Sequence, residues 1–81
     1  MNFNLTKSKV IKLNEIADLQ RLIDEASKVE GEVLLQHGYY IVNGKSILGV
    51  MSLDLTKGVN VIYPADEVIF EQFIEQFEVE V

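Results

Sequence analysis

The sequence has no cysteine and no tryptophan, and it has one proline and one histidine among its 81 residues. Without cysteine the chain has no disulfide, no thiolate metal ligand and no thiol nucleophile, and we expect the reducing cytoplasm to be its compartment. A zinc site with a single histidine would depend on carboxylates, and no spacing of acidic residues indicates one. We therefore expect no metal and no cofactor.

Long apolar runs and an excess of positive charge are also absent. The apolar runs are a few residues long, and residues 1–5 lack the apolar core of a signal peptide, so neither membrane insertion nor export is predicted. Seven basic and thirteen acidic side chains give a net charge of −6, which argues against binding to nucleic acid or anionic lipid. The acidic excess lies in residues 66–81, which contain no base.

What is present fits one small globular domain, because 48% of the residues are hydrophobic and 25% are charged. We expect residues 1–81 to form it. Lys9–Leu13 is short and rich in β-branched residues, which predicts a strand. Apolar residues then recur at helical spacing from Ile16 to Ala26, which predicts an amphipathic helix with Asn14 as its N-cap and Gly31 beyond its end.

The middle of the chain is rich in turn signals. Glu32–Gln36 and Tyr39–Val42 read as two strands of a hairpin around a turn at His37-Gly38, where we expect the histidine to be exposed. A second turn signal, Asn43-Gly44, leaves two alternatives open. Either Tyr39–Val42 pairs with a further strand over residues 47–51, or Ser46 caps a short helix over residues 47–53.

The last third adds a strand and a helix. Val59–Tyr63 follows Lys57-Gly58 and alternates in the manner of a strand, and a helix is predicted from about Asp66 onward. Its apolar stripe consists of Phe70, Phe73, Ile74 and Phe77. The resulting order, β-α-β-β-(α)-β-α, predicts an α+β fold with the helices on one face of an antiparallel sheet.

The segment Asn43–Leu53 (Asn-Gly-Lys-Ser-Ile-Leu-Gly-Val-Met-Ser-Leu) closely resembles the region around the regulatory serine of the HPr family. These proteins are the histidine-containing phosphocarriers of the bacterial sugar phosphotransferase system. Residues 26–28 (Ala-Ser-Lys) resemble the end of that family's first helix. The resemblance implies an open-faced sandwich of four antiparallel strands with three helices on one face, and it favours the short helix over the rival hairpin.

One stretch departs from the family pattern. The family's first helix opens with Gly-Ile-His-Ala-Arg-Pro, whose histidine carries the phosphoryl group, and the matching residues here are Leu13–Asp18. Glu15 stands in place of the histidine, Ala17 in place of the arginine and Asp18 in place of the proline. We interpret Glu15 as a solvated first-turn glutamate; a sharper alternative is that its fixed charge imitates the phosphorylated state.

The resemblance also assigns roles around the short helix. Ser46 matches the serine that HPr kinase/phosphorylase modifies in many Gram-positive bacteria, and its position also suits a helix N-cap. Ile47, Leu48 and Met51 match an exposed apolar patch that docks partner proteins. Val50 and Leu53 are the better candidates for the core at this spacing.

These observations predict an HPr-like regulatory or protein-binding module that is not an enzyme and has lost the phosphoacceptor. Its expected partners are phosphotransferase-system or regulatory proteins, HPr kinase/phosphorylase among them, and we expect a monomer. A second hypothesis is a working phosphocarrier in sugar transport that uses a different acceptor. A third is an unrelated small α+β interaction domain whose Ser46 segment agrees by chance.

Overall fold

The computed structural model describes residues 5–79, in which four strands and three α-helices follow one another along the chain. The strands are β1 (Thr6–Ile11), β2 (Leu34–His37), β3 (Tyr40–Asn43) and β4 (Val59–Pro64). The helices are α1 (Ile16–Ser27), α2 (Ile47–Met51) and α3 (Val68–Glu75). A 3-10 helix, Leu55–Lys57, which the sequence did not predict, lies between α2 and β4.

The strands form one antiparallel sheet in the order β1-β4-β2-β3. Strand β4 shows why one face is covered by helices: Val59, Val61 and Tyr63 are completely buried, whereas the residues between them are half-buried. Successive side chains of a strand point to opposite faces, so the helices pack on the face of the buried set. The predicted α+β fold, with four strands and three helices on one side, is confirmed.

The core joins this sheet face to the apolar stripes of the helices. Helix α1 contributes Leu22 and Ala26, as its spacing predicts, and α3 contributes Phe70, Phe73 and Ile74. Burying a large apolar side chain stabilises a fold by about 1.5–3 kcal/mol, so these two stripes attach the helices to the sheet. Neither stripe has a polar residue at its centre.

A tyrosine, a glutamate and a lysine connect three elements near α3. The buried Tyr63 hydroxyl donates to Glu71 Oε2 at 2.6 Å, and Lys7 Nζ lies 3.1 Å from the same oxygen. Burial, and then the neighbouring carboxylate, raise the pKa of Tyr63, while the hydrogen bond from Tyr63 and the charge of Lys7 lower the pKa of Glu71. The tyrosine therefore stays a neutral donor and the glutamate a charged acceptor.

Several predicted boundaries were wrong by a few residues. Strand β1 starts before Lys9 and ends at Ile11, because its partner β4 is long enough to pair from Thr6 onward. The hairpin turn is Gly38-Tyr39, with Gly38 at φ +61°, one residue later than predicted. Glycine at the first of two turn residues suits the tight primed turns of hairpins.

His37 is consequently not an exposed turn residue. It is half-buried at the end of β2, and its Nδ1 donates to the carbonyl oxygen of Gly58 at 3.1 Å. A carbonyl can only accept, so this hydrogen bond places a proton on Nδ1. Across residues 5–79, no helix has the length and apolar composition needed to cross a membrane.

Candidate functional site

Helix α1 begins without the cap that the sequence predicted. The residue before its first turn is Glu15, not Asn14, with extended backbone angles (φ −126°, ψ 143°) and no capping hydrogen bond from its side chain. Its carbonyl oxygen accepts from the amides of Asp18 and Leu19 at 3.1 and 3.2 Å. The Glu15 side chain is exposed beside the free amides of the helix start, where the helix dipole favours a negative charge.

The rest of this first turn offers no positive charge to an incoming phosphoryl group. Ala17 is exposed, and its methyl group cannot bind an anion. Asp18 Oδ1 lies 3.6 Å from Arg21 Nη1, and the Arg21 guanidinium lies over the ring of Phe73, 5.7 Å from its centroid. The nearest base on α1 is therefore engaged by an acid and an aromatic ring. The three-residue spacing of Asp18 and Arg21 is the one sequence signal for this pair.

Helix α2 begins with the cap that the sequence predicted. Ser46 has extended backbone angles (φ −95°, ψ 116°), and its Oγ accepts from the amide of Gly49 at 3.2 Å. The turn before it is held by Asn43, whose side-chain oxygen accepts from the Lys45 amide at 2.8 Å and whose carbonyl accepts from the Ser46 amide at 3.0 Å. Ser46 itself is exposed.

Lys45 precedes this serine but its ammonium group is used elsewhere. Its Nζ donates to the carbonyl oxygen of Val29, just after the end of α1. The amides of α2, rather than this lysine, are therefore the groups that face the Ser46 hydroxyl. The contact also fixes the start of α2 relative to the end of α1.

The surface of α2 is apolar. Ile47, Leu48 and Met51 are 56%, 80% and 65% exposed, while Val50 is completely buried and Leu53 packs against the core. A Cβ at Gly49 would lie 3.3 Å from Val42 Cβ, so glycine lets α2 lie close against β3. This proximity explains a residue that by itself costs a helix about 1 kcal/mol relative to alanine.

A shallow groove of about 200 Å³ lies between the start of α1 and the segment that follows α2, and it is lined by residues 13–16, Leu19 and residues 53–56. Leu13 donates its amide to the Leu55 carbonyl at 2.9 Å, which holds the two sides together. Ile16, 76% exposed, adds another apolar side chain at the start of α1. The structure thus brings Glu15 and the segment that follows α2 to one surface.

Asp54 lines this groove and was not singled out from the sequence. It caps the 3-10 helix, and the hydroxyl and amide of Thr56 both donate to its Oδ1. These hydrogen bonds lower the pKa of Asp54 and keep it charged. The signal that would have found it is Asp-x-Thr directly before a short helical turn. Within residues 5–79, no group of three or more His, Asp or Glu residues could hold a metal ion.

The fold is similar to those of two solved proteins. The phosphocarrier protein HPr from Bacillus anthracis str. Ames superposes with a TM-score of 0.70 and 18% identity, covering 91% of this chain and 96% of that one. HPr-C-His from Thermoanaerobacter tengcongensis gives a TM-score of 0.68 and 22% identity, covering 89% of this chain and 88% of that one. No curated protein matches the sequence.

The family model of the PTS HPr component phosphorylation site matches residues 19–79. This range includes the whole Ser46 segment and most of the 81 residues, so a chance agreement with an unrelated interaction domain is ruled out. The same range contains Asn43–Leu53, the segment whose sequence first suggested the resemblance. The chain therefore belongs to the HPr family of the phosphotransferase system.

Proposed function

We propose that this HPr-family protein is a regulatory, protein-binding module that does not transfer phosphoryl groups. The observation that carries this proposal is Glu15 at the start of α1, where the family places its phosphoryl-carrying histidine. The family match begins at Leu19, after this position, and so does not extend to the phosphoacceptor turn. The acidic first turn of α1 therefore supports the interpretation that this protein has kept the family's fold but does not carry phosphoryl groups.

The chemistry of the first turn supports the same conclusion. A histidine carrier needs a neutral ring nitrogen as nucleophile and positive or amide groups that hold the transferred phosphoryl. Glu15 offers a weaker carboxylate nucleophile, Ala17 offers no charge, and Asp18 adds a negative one. A dianionic phosphoryl donor would meet repulsion here from two carboxylates. The carboxylates instead make the start of α1 permanently negative, as the phosphorylated histidine does in a phosphocarrier.

Partner proteins dock, in this proposal, on Ile47, Leu48 and Met51 with the start of α1 beside them. A few exposed apolar side chains surrounded by charge are typical of the centre and rim of an interface. Because Glu15 and Asp54 line the adjoining groove, the partner should present basic residues at its rim. Affinity should then fall as salt rises, since a rim of opposite charges is screened over about 10 Å at 0.1 M.

Ser46 is the regulatory site of this proposal. Its hydroxyl is exposed and faces the first amides of α2, so a phosphate there would receive hydrogen bonds from the helix start. HPr kinase/phosphorylase is the enzyme class that the family resemblance names for this modification. Phosphorylation would add negative charge beside the apolar docking surface and change which partners bind there. In this proposal the protein acts in the cytoplasm.

Phosphoryl transfer tests the proposal directly. After incubation with enzyme I and phosphoenolpyruvate, intact-mass spectrometry at neutral pH should show an unmodified chain. A stoichiometric phosphate adduct that disappears in Glu15→Gln would overturn the proposal and establish an acyl phosphate on Glu15, the working-carrier alternative. The triple variant Glu15→His, Ala17→Arg and Asp18→Pro is the positive control, because it restores the family's acceptor turn and should gain the adduct.

A further inference from the structure

The two edges of the sheet are protected very differently. The C-terminal segment covers the end of the outer edge of β1: Val79 donates its amide to the Val10 carbonyl at 2.8 Å, and Lys12 donates its amide to the Phe77 carbonyl at 3.0 Å. Strand β1 also carries two lysines, and lysine on an edge strand opposes pairing with another chain. The covered end and the two lysines both oppose strand addition at this edge.

In the described part of the chain, the outer edge of β3 has no covering segment and no lysine. Within residues 5–79, β2 is the only strand that pairs with β3. The two-residue hairpin turn and the bond from the Gly44 amide to the Val33 carbonyl, 2.7 Å, set which β3 groups point toward β2. Those groups belong to Tyr40 and Val42, so the amide and carbonyl of Ile41 and the amide of Asn43 point away from the sheet.

This edge is also free of charge in a strongly acidic protein. Residues 33–44 contain no Lys, Arg, Asp or Glu, and no other stretch of the chain is as long without one. Two copies that each carry a net charge of −6 repel one another over most orientations. Two copies can approach each other through the β3 edge without bringing carboxylates together.

We propose that β3 pairs antiparallel with β3 of a second copy, so that two four-stranded sheets become one continuous sheet. The two-fold axis passes beside Ile41, which then faces its own copy across the axis. Tyr40 lies opposite the partner's Val42, and Tyr39 opposite the partner's Asn43. Aromatic and β-branched residues stabilise such cross-strand pairs, and no like charges meet.

Self-complementarity is the reason to assign a second copy rather than another extended peptide. In this register the outward amide of each Ile41 donates to the outward carbonyl of the other Ile41. The exposed Tyr39, Tyr40 and Ile41 side chains also lose part of their contact with water to their cross-strand neighbours. This proposal differs from the monomer expected from the sequence, and it does not depend on the proposed function of the α1 and α2 surface.

Sedimentation equilibrium should show a mass that rises with concentration from 9.2 kDa toward twice that value. Ile41→Lys places two lysines opposite each other at the axis and should weaken association at least tenfold. Ile69→Lys is the matched control, because Ile69 is equally apolar, is exposed on α3 and lies outside the edge. Circular dichroism identifies any variant that fails to fold. A mass that stays at 9.2 kDa up to about 1 mM, or equal weakening by both variants, overturns the proposal.

A cysteine-free chain allows a second test of the register. Opposed residues of a hydrogen-bonded antiparallel pair have Cα atoms about 5.5 Å apart, which is within disulfide range. Ile41→Cys should therefore form a disulfide-linked dimer under mild oxidation much faster than Ile69→Cys. Equal rates for the two variants mean that Ile41 does not meet its copy and overturn the pairing, whereas selective linkage supports it.

Discussion

The starts of α1 and α2, which both belong to the proposed docking surface, differ in how they are built. The α2 start is capped by Ser46 and preceded by an ordered asparagine turn, whereas the α1 start has an exposed Glu15 with no capping hydrogen bond. The α2 region lies within the family match, which begins at Leu19, whereas the start of α1 lies before it. The difference indicates which residues of this surface are needed by the fold.

Three residues in and directly before α2 have local structural roles. Ser46 caps the helix, Gly49 allows close approach to β3, and Val50 enters the core. At the start of α1, by contrast, the side chains at positions 15 and 17 are exposed and contribute nothing to the core. Helix α1 is attached through Leu22 and Ala26, so its first turn can lose its chemistry without loss of the fold.

The largest effect on stability is expected at the capped start. Ser46→Ala removes the acceptor for the Gly49 amide and should lower the free energy of unfolding by about 0.5–2 kcal/mol. Urea unfolding monitored by circular dichroism measures it. Ser46→Asp is the matched control, because its carboxylate can still accept from the helix amide and should restore most of the loss. Equal midpoints for wild type and Ser46→Ala would show that the cap contributes nothing.

A smaller effect of opposite sign is expected at the uncapped start. Glu15 has the extended backbone that an N-cap needs, so Glu15→Ser gives α1 the acceptor that α2 already has. The protein should become more stable by about 0.5–1 kcal/mol in urea unfolding. Glu32→Ser, at an exposed position outside the helices, controls for the loss of one negative charge. A gain of the same size in both variants would assign the effect to net charge rather than capping.

The smallest effect concerns a third helix start, where a glutamate does have partners. The pKa of Glu71 in the first turn of α3 is lowered by Tyr63 and then by Lys7, from a usual value near 4.5. Below that value the unfolded chain binds more protons than the folded one, so the stability contributed by Glu71 is lost as pH falls through its folded pKa.

The measurement is the free energy of urea unfolding between about pH 6 and pH 3. Glu71→Gln should make its decline toward acid shallower, though not flat, because Asp54 also has a lowered pKa. Tyr63→Phe, which keeps Lys7 as a partner but removes the hydrogen bond, should fall between that variant and wild type. An unchanged slope in Glu71→Gln would mean that the Tyr63 hydrogen bond does not hold the carboxylate in its charged form.

Sequence reasoning found the features that are local along the chain. The helical stripes through Leu22 and Phe70 and the Ser46 cap depend on spacings of three or four residues, which periodicity reveals. It missed contacts between distant segments, such as Tyr63 with Lys7 through Glu71, because nothing local indicates which strand faces which helix. The length of β1 was missed for the same reason, since β4 sets it.

The positions of the three tyrosines have a spectroscopic consequence. The chain has no tryptophan, so its ultraviolet emission comes from tyrosine. Tyr39 and Tyr40 are exposed at the β2–β3 hairpin, whereas Tyr63 is completely enclosed with its hydroxyl on a carboxylate. A water-soluble quencher therefore reaches only the hairpin pair in the folded protein, and the quenchable fraction of the fluorescence reports, without any added label, on whether another chain covers this end of the sheet.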